Sequence, residues 1–128
     1  MNYLLDTHVM LWLLTDPDEL GITSRSIIED GENVLYWSAA SFWELTVKLS
    51  LNKLELSADW IDQLEKEKKL NRIQDLPVHW HHCRQNERLP WHHRDPFDRL
   101  LICQALIENL TLISKDRKFR EYSVPVVW

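Results

Sequence analysis

Glycine is scarce in this sequence. Gly21 and Gly31 are the only two in 128 residues, beside five prolines, which leaves little room for flexible linkers. Cysteine is too rare for a disulfide framework. Cys83 and Cys103 lie twenty residues apart in stretches that read as helices, so reduced thiols and a cytoplasmic location are expected. Long apolar runs are missing. Residues 9–14 are far too few to span a bilayer, and no basic region precedes an apolar stretch at the N-terminus. Neither a membrane segment nor a signal peptide is expected. An excess of positive charge is missing too, since the formal net charge is −5. A protein that held nucleic acid by overall charge would be basic, so any such role must rest on a local basic patch or on metal ions.

What is present describes a globular chain, 45% hydrophobic and 27% charged, read as a single domain over 1–128. Seven tryptophans are many for this length. Most are expected in the core, with a few free to line a groove. Short apolar strands are expected at 2–5, 33–37, 72–76, 111–114 and 124–127. Helices are expected at 7–14, 23–30 (with Gly31 as a left-handed cap), 39–51, 57–70, 78–88 and from Asp95 onward. No internal repeat, low-complexity tract or domain boundary is visible. Apolar strands alternating with helices imply an α/β fold with a parallel sheet covered on both faces.

The most informative stretch is His93-Arg94-Asp95-Pro96-Phe97-Asp98-Arg99. Asp95 can cap the orphan N–H groups of a helix, Pro96 suits the first helical position, and Asp98 falls in the first turn. The apolar run that follows predicts a buried helix. A carboxylate at such a helix end is favoured by the dipole and open to a ligand. Asp98 has Leu101 and Ile102 at helical spacing, so no local ion pair explains it.

In open parallel sheets, ligands gather beyond the carboxyl ends of the strands. That rule selects Asp6 at the end of the first strand and Asp116 just past the fourth. Glu44 falls in the helix after the second strand, and Asp98 opens the helix before the fourth. Each acid also has a structural reading. Asp6 can serve as a turn or cap residue, Glu44 can pair with Lys48, Asp116 with Arg120, and Asp95 with Arg99. Phe42, Trp43, Leu45 and Val47 suggest a mostly buried helix around Glu44, where a carboxylate is costly. Acids gathered together repel by roughly 4 kcal/mol per pair at about 4 Å and an effective dielectric near 20. They must be protonated, spread or neutralised by a cation. Hard oxygen donors suit Mg²⁺ or Mn²⁺, which can activate water and stabilise charge on a phosphodiester.

Two other readings compete. His79, His82 and Cys83, with His92 and His93 nearby, suggest zinc, although no fixed ligand spacing is met. Phosphoryl transfer through Asp6 as nucleophile lacks a second acid two residues on.

The chain resembles the PIN-domain ribonucleases, and most closely the VapC-like toxins of type II toxin–antitoxin modules. The likeness rests on Leu5-Asp6-Thr7-His8, on Ser38-Ala39-Ala40-Ser41-Phe42-Trp43-Glu44-Leu45 with Lys48, and on His93 through Arg99. Ser114-Lys115-Asp116 with Phe119 and Tyr122, and the closing Val126-Val127-Trp128, match as well. The resemblance implies a three-layer α/β/α sandwich around a central parallel sheet, and a Mg²⁺-dependent (or Mn²⁺-dependent) endoribonuclease. The family's acidic quartet carries over to Asp6, Glu44, Asp98 and Asp116, both as catalytic residues and as metal ligands. Asp95 matches as a helix cap, and Thr7 as a residue orienting the first acid or a bound water. Cys103 stands where alanine is common. Asn52 stands where glycine is common, and asparagine also accepts a left-handed cap.

Implied partners are an RNA substrate, a cognate antitoxin and a second copy in a homodimer. Lys115, Arg117, Lys118 and Arg120 around Asp116, and Arg94 and Arg99 beside Asp98, are candidates to meet an RNA backbone. The alternative is a catalytically inactive PIN-fold binding module in a repressor complex. For the antitoxin, Trp12, Leu13 and Leu14, with Trp43 and Leu45, predict an apolar groove beside the acids.

Overall fold

The computed structural model describes residues 1–128. Five strands form one sheet: β1 (Asn2–Leu5), β2 (Val34–Ser38), β3 (Ile73–Leu76), β4 (Thr111–Ile113) and β5 (Val126–Val127). All pairings are parallel, in the spatial order β3-β2-β1-β4-β5. The helices are α1 (Thr7–Thr15), α2 (Ile22–Glu29), α3 (Ala39–Ser50), α4 (Trp60–Leu70), α5 (Trp80–Arg84) and α6 (Pro96–Glu108).

Alternation along each strand divides the core in two. Tyr3, Leu5, Leu35, Trp37, Ile73 and Ile113 face one way, against Val9 and Met10 of α1, Ile28 of α2, Leu45 of α3 and Leu64 of α4. Leu4, Leu76 and Leu112 face the other way, against Leu101, Ile102, Cys103 and Ala105 of α6 and against Phe119 and Tyr122. Leu4 and Leu5 are both fully buried although adjacent. A two-sided sheet explains why β1 reads as an unbroken apolar run. The result is the expected α/β/α sandwich.

Local chemistry sets the ends of the elements. Ser38 caps α3 by accepting the Ala40 N–H at 3.0 Å. Asp95 caps α6, its Oδ1 accepting from Phe97 (2.8 Å) and Asp98 (3.2 Å), with Pro96 next in line. Asn52 (φ 56°) and Asn109 (φ 54°) take left-handed conformations after α3 and α6. Asn52 thus does what glycine would.

Several expectations shift. Gly31 is not a left-handed cap, because no glycine has positive φ. Helix α2 ends at Asp30, whose carboxylate accepts the Glu32 N–H at 3.0 Å and turns the chain into β2. The helix expected at 57–70 begins at Trp60. That at 78–88 is α5 followed by a 3₁₀ turn, Gln85–Arg88, whose end is held by Arg99 through the carbonyls of Asn86 and Leu89. The fifth strand shortens to two residues, since Pro125 has no N–H to give. Of the seven tryptophans only Trp37 is buried. Trp43, Trp80 and Trp91 are largely exposed and the others are half-buried. Helix α3 likewise buries Leu45 but leaves Trp43 64% exposed.

Candidate active site

The carboxyl ends of β1 and β4, helix α1, the second half of α3 and the start of α6 enclose a cleft of ≈ 360 Å³. Asp6, Glu44, Asp98 and Asp116 all line it, together with Thr7, Asp95 and two lysines, Lys48 and Lys53. The parallel register Leu5↔Ile113 puts the ends of β1 and β4 side by side. Asp6 and Ser114, 108 residues apart, therefore meet.

Asp6 is held on both oxygens. Its Oδ1 accepts the Thr7 N–H at 2.7 Å, and its Oδ2 accepts the Ser114 hydroxyl at 2.7 Å. His8 Nδ1 lies 3.1 Å from Oδ2. Burial pushes the Asp6 carboxyl above the ordinary carboxylate range. His8, the Ser114 hydroxyl and the Thr7 N–H oppose that rise, while the charge of Glu44 adds to it.

Glu44 is buried on α3 and also held twice. Thr7 Oγ1 lies 2.7 Å from Glu44 Oε1 and 2.9 Å from Ser41 Oγ. A carboxylate only accepts, so the single Thr7 proton goes to Glu44, and Ser41 supplies its own proton to Thr7. Lys48 donates to Glu44 Oε2 at 2.8 Å. Burial pulls the Lys48 ammonium down, but Glu44, Asp95 and Asp98 outweigh it and its pKa is raised. The Glu44–Lys48 pair proposed as a structural reading is present, and it stands inside the cleft.

Asp98 is strongly perturbed as well. Burial, then the charges of Asp6, Asp95, Glu44 and Asp116, lift its carboxyl from 3.8 to about 8. Such mutual effects require the four acids to share one small volume. Lys48 alone does not relieve them. Asp116 accepts the Lys118 N–H at 2.9 Å and caps the turn Arg117–Glu121, and it does not pair with Arg120.

Sequence reasoning misassigned Arg99. It is 2% exposed and its guanidinium is consumed internally. It donates to Asn86 Oδ1, Asn86 O, Leu89 O and Pro90 O at 2.8–3.3 Å, and it lies beneath the Trp91 ring at 3.6 Å. A buried, saturated guanidinium cannot meet RNA, and it makes no pair with Asp95. It fastens the 86–95 segment to α6. Arg94 and Lys115 are exposed, as a backbone contact requires. The zinc grouping also dissolves. His82 is fully buried, its Nδ1 accepts the His79 N–H at 3.0 Å, and its Nε2 meets Glu108 at 2.8 Å. Cys83 is exposed, and the side chains gathered at His82 are His81 and Glu108 instead. The histidine links α5 to α6.

Sequence reasoning missed Ser41, Ser114 and the two histidines His8 and His93. His93 Nε2 lies 2.9 Å from Asp98 Oδ2 and 3.4 Å from Asp116 Oδ2. The readable signal was proximity in the chain: His8 stands two residues past Asp6, and His93 two before the Asp95 cap. Ser114 had the same signal, standing two residues before Asp116.

The family model of the PIN domain matches residues 3–125. The chain belongs to the PIN-domain family. It is similar to Ribonuclease VapC22 of Mycobacterium tuberculosis (strain ATCC 25618 / H37Rv), with 26% identity over 98% of this chain and 97% of that protein. Its fold is that of VapBC2 from Rickettsia felis, solved bound to a DNA fragment from its promoter (TM-score 0.70, 18% identity, 99% of this chain and 98% of that chain). VapBC-1 from nontypeable Haemophilus influenzae is similarly related (TM-score 0.71, 20% identity, 99% and 97%). No helix of this PIN-domain chain is long and apolar enough to cross a membrane.

Proposed function

We propose that this PIN-domain protein is a divalent-metal-dependent endoribonuclease, with Asp6, Glu44, Asp98 and Asp116 as the catalytic and metal-binding acids. One observation carries the reading: four carboxylates share a cleft in which Asp98 is driven to about 8. An all-oxygen donor set with this much uncompensated repulsion fits Mg²⁺ or Mn²⁺ better than a soft metal. When bound, the ion supplies an activated water and charge stabilisation on the phosphodiester. The chain's own residues do the rest. Thr7 orients Asp6 through its N–H and Glu44 through its hydroxyl. Ser114 holds the outer oxygen of Asp6. Lys48 holds Glu44 in place through its bond to Oε2. Arg94 and Lys115, exposed near the acids in sequence, are the residues to engage RNA phosphates.

An active ribonuclease in the cytoplasm needs restraint. The likeness to a VapC ribonuclease and to VapBC complexes supports a role as the toxin of a type II pair with a cognate antitoxin. Leu45 is buried and unavailable to such a partner. Trp12, Leu13 and Leu14 are half-buried, and Trp43 stands free to contribute. A basic side chain from the partner, laid over the acids, would be held by charge-assisted hydrogen bonds. A second copy in a homodimer belongs to the same reading.

The test incubates purified protein with a panel of structured RNAs, with and without Mg²⁺, beside Asp6→Asn. Cleavage is expected only for the wild type with Mg²⁺. Binding of RNA without cleavage by the metal-loaded wild type would instead identify a binding module.

A further inference from the structure

His93 stands outside the acidic quartet, yet one nitrogen of its ring meets two of those acids. Nε2 lies 2.9 Å from Asp98 Oδ2, and it is hydrogen-bonded to Asp116 Oδ2 at 3.4 Å. The opposite nitrogen decides what Nε2 can do. Nδ1 accepts the backbone N–H of Asp95 at 3.1 Å, which occupies its lone pair. A neutral imidazole has one acceptor nitrogen and one N–H. The proton therefore sits on Nε2 and faces the two carboxylates. A protonated ring nitrogen has no lone pair for a metal ion.

The ring has little freedom to adopt another role. His93 is 8% exposed. Its backbone N–H donates to the Tyr122 hydroxyl at 2.8 Å, and its carbonyl accepts from Arg99 Nη1 at 3.4 Å. Phe119 lies against the ring, with centroids 6.0 Å apart. Turning the imidazole over would sacrifice the Asp95 bond. Asp95 thus acts twice: its side chain caps α6, and its N–H sets the ring that reaches back to Asp98.

We infer that His93 is a positioning residue whose Nε2–H ties Asp98 to Asp116, holding them as neighbouring oxygen donors without itself binding the ion. This rests on the divalent-metal reading of the cleft. Loss of such an outer partner of ligating carboxylates costs about 10–100-fold in metal affinity.

The test uses the full chain, ¹⁵N-labelled, and records the His93 ring nitrogens by NMR before and after Mg²⁺ is added. Mn²⁺ affinity and melting temperature are measured for wild type, His93→Ala and His93→Gln. The expected ring carries its proton on Nε2 and keeps it when Mg²⁺ is added. His93→Ala weakens Mn²⁺ binding by about 10–100-fold. His93→Gln, whose amide N–H can stand near the place of Nε2–H, recovers most of that loss. A proton on Nδ1, or an Nε2 that loses its proton to the ion, would overturn the inference. So would an alanine variant with wild-type Mn²⁺ affinity, or a glutamine variant no better than alanine. If alanine prevents folding, the ring spectrum and the glutamine variant decide. If the wild type takes up no Mn²⁺, the metal reading fails, and the ring spectrum alone then judges the tether.

Discussion

Asp98→Asn should stabilise the metal-free protein. Asp98 titrates near 8 in the folded chain and near 3.8 when free. Between those values the folded state holds a proton that the unfolded state has released, so stability falls as pH rises through this window and levels off above about 8. The gap corresponds to roughly 6 kcal/mol at alkaline pH and roughly 4 kcal/mol at pH 7. Asparagine keeps the shape and never pays for ionisation. The carboxyl is mostly protonated at pH 7, so the first-turn charge on α6, worth about 0.3–1 kcal/mol, is lost to the variant only at higher pH. The Asp98 side chain is 17% exposed, so water and relaxation reduce the gain further. A net gain of about 2 kcal/mol at pH 7 is expected, or several degrees in melting temperature. The assay is thermal unfolding in chelator at pH 5, 7 and 8.5, repeated with Mg²⁺. The advantage of the variant should grow with pH in chelator. It should shrink or reverse with Mg²⁺, because only the intact site gains stability from binding. A variant less stable than wild type at pH 8.5 in chelator, or a difference that ignores pH, would refute the account of Asp98 as a member of a repelling cluster.

Three further outcomes are expected. Lys48→Met removes the cation that holds buried Glu44; since Lys48 is itself about half exposed, the cost in chelator should be about 1 kcal/mol, read from the melting curve. Arg99→Ala strips a buried guanidinium from its carbonyl partners and should cost about 3–5 kcal/mol by chemical denaturation, and Arg99→Lys should fail to rescue it because an ammonium cannot reproduce the fork. An Arg99 variant of wild-type stability that bound RNA weakly would reverse this assignment. Burial pushes the Cys103 thiol up to about 11, whereas Cys83 is exposed. Thiol titration of the native protein should therefore find one reactive cysteine, with the second appearing only in denaturant.

Much of the fold was legible because its signals are local. Apolar strands alternating with helices, the Asp95-Pro96 helix start and the Ser38 cap are all written within a few residues of where they act. The misreadings have one cause. The cap at Gly31 was inferred from residue type, but the Asp30 side chain turned the chain first. Arg99 reads as an RNA contact because it flanks Asp98, but four acceptors from the 86–90 segment draw it inside. Periodicity tells which face of an element is apolar and says nothing about which polar groups another segment will bring to it.

The candidate site divides along the same line. From sequence alone, Asp6, Glu44, Asp98 and Asp116 could be selected, because a parallel sheet sends the carboxyl ends of its strands to one edge. Tertiary structure decided how those acids are held. Ser114 reaches Asp6 only through the β1–β4 register, Thr7 reaches Glu44 only where α1 meets α3, and His93 reaches Asp98 and Asp116 only because Arg99 and Tyr122 fasten its loop. A carboxylate's place in the chain follows from topology, a property of the whole pattern. Its hydrogen-bond partners follow from distances of about 3 Å between residues far apart in sequence, and those exist only once the chain has packed.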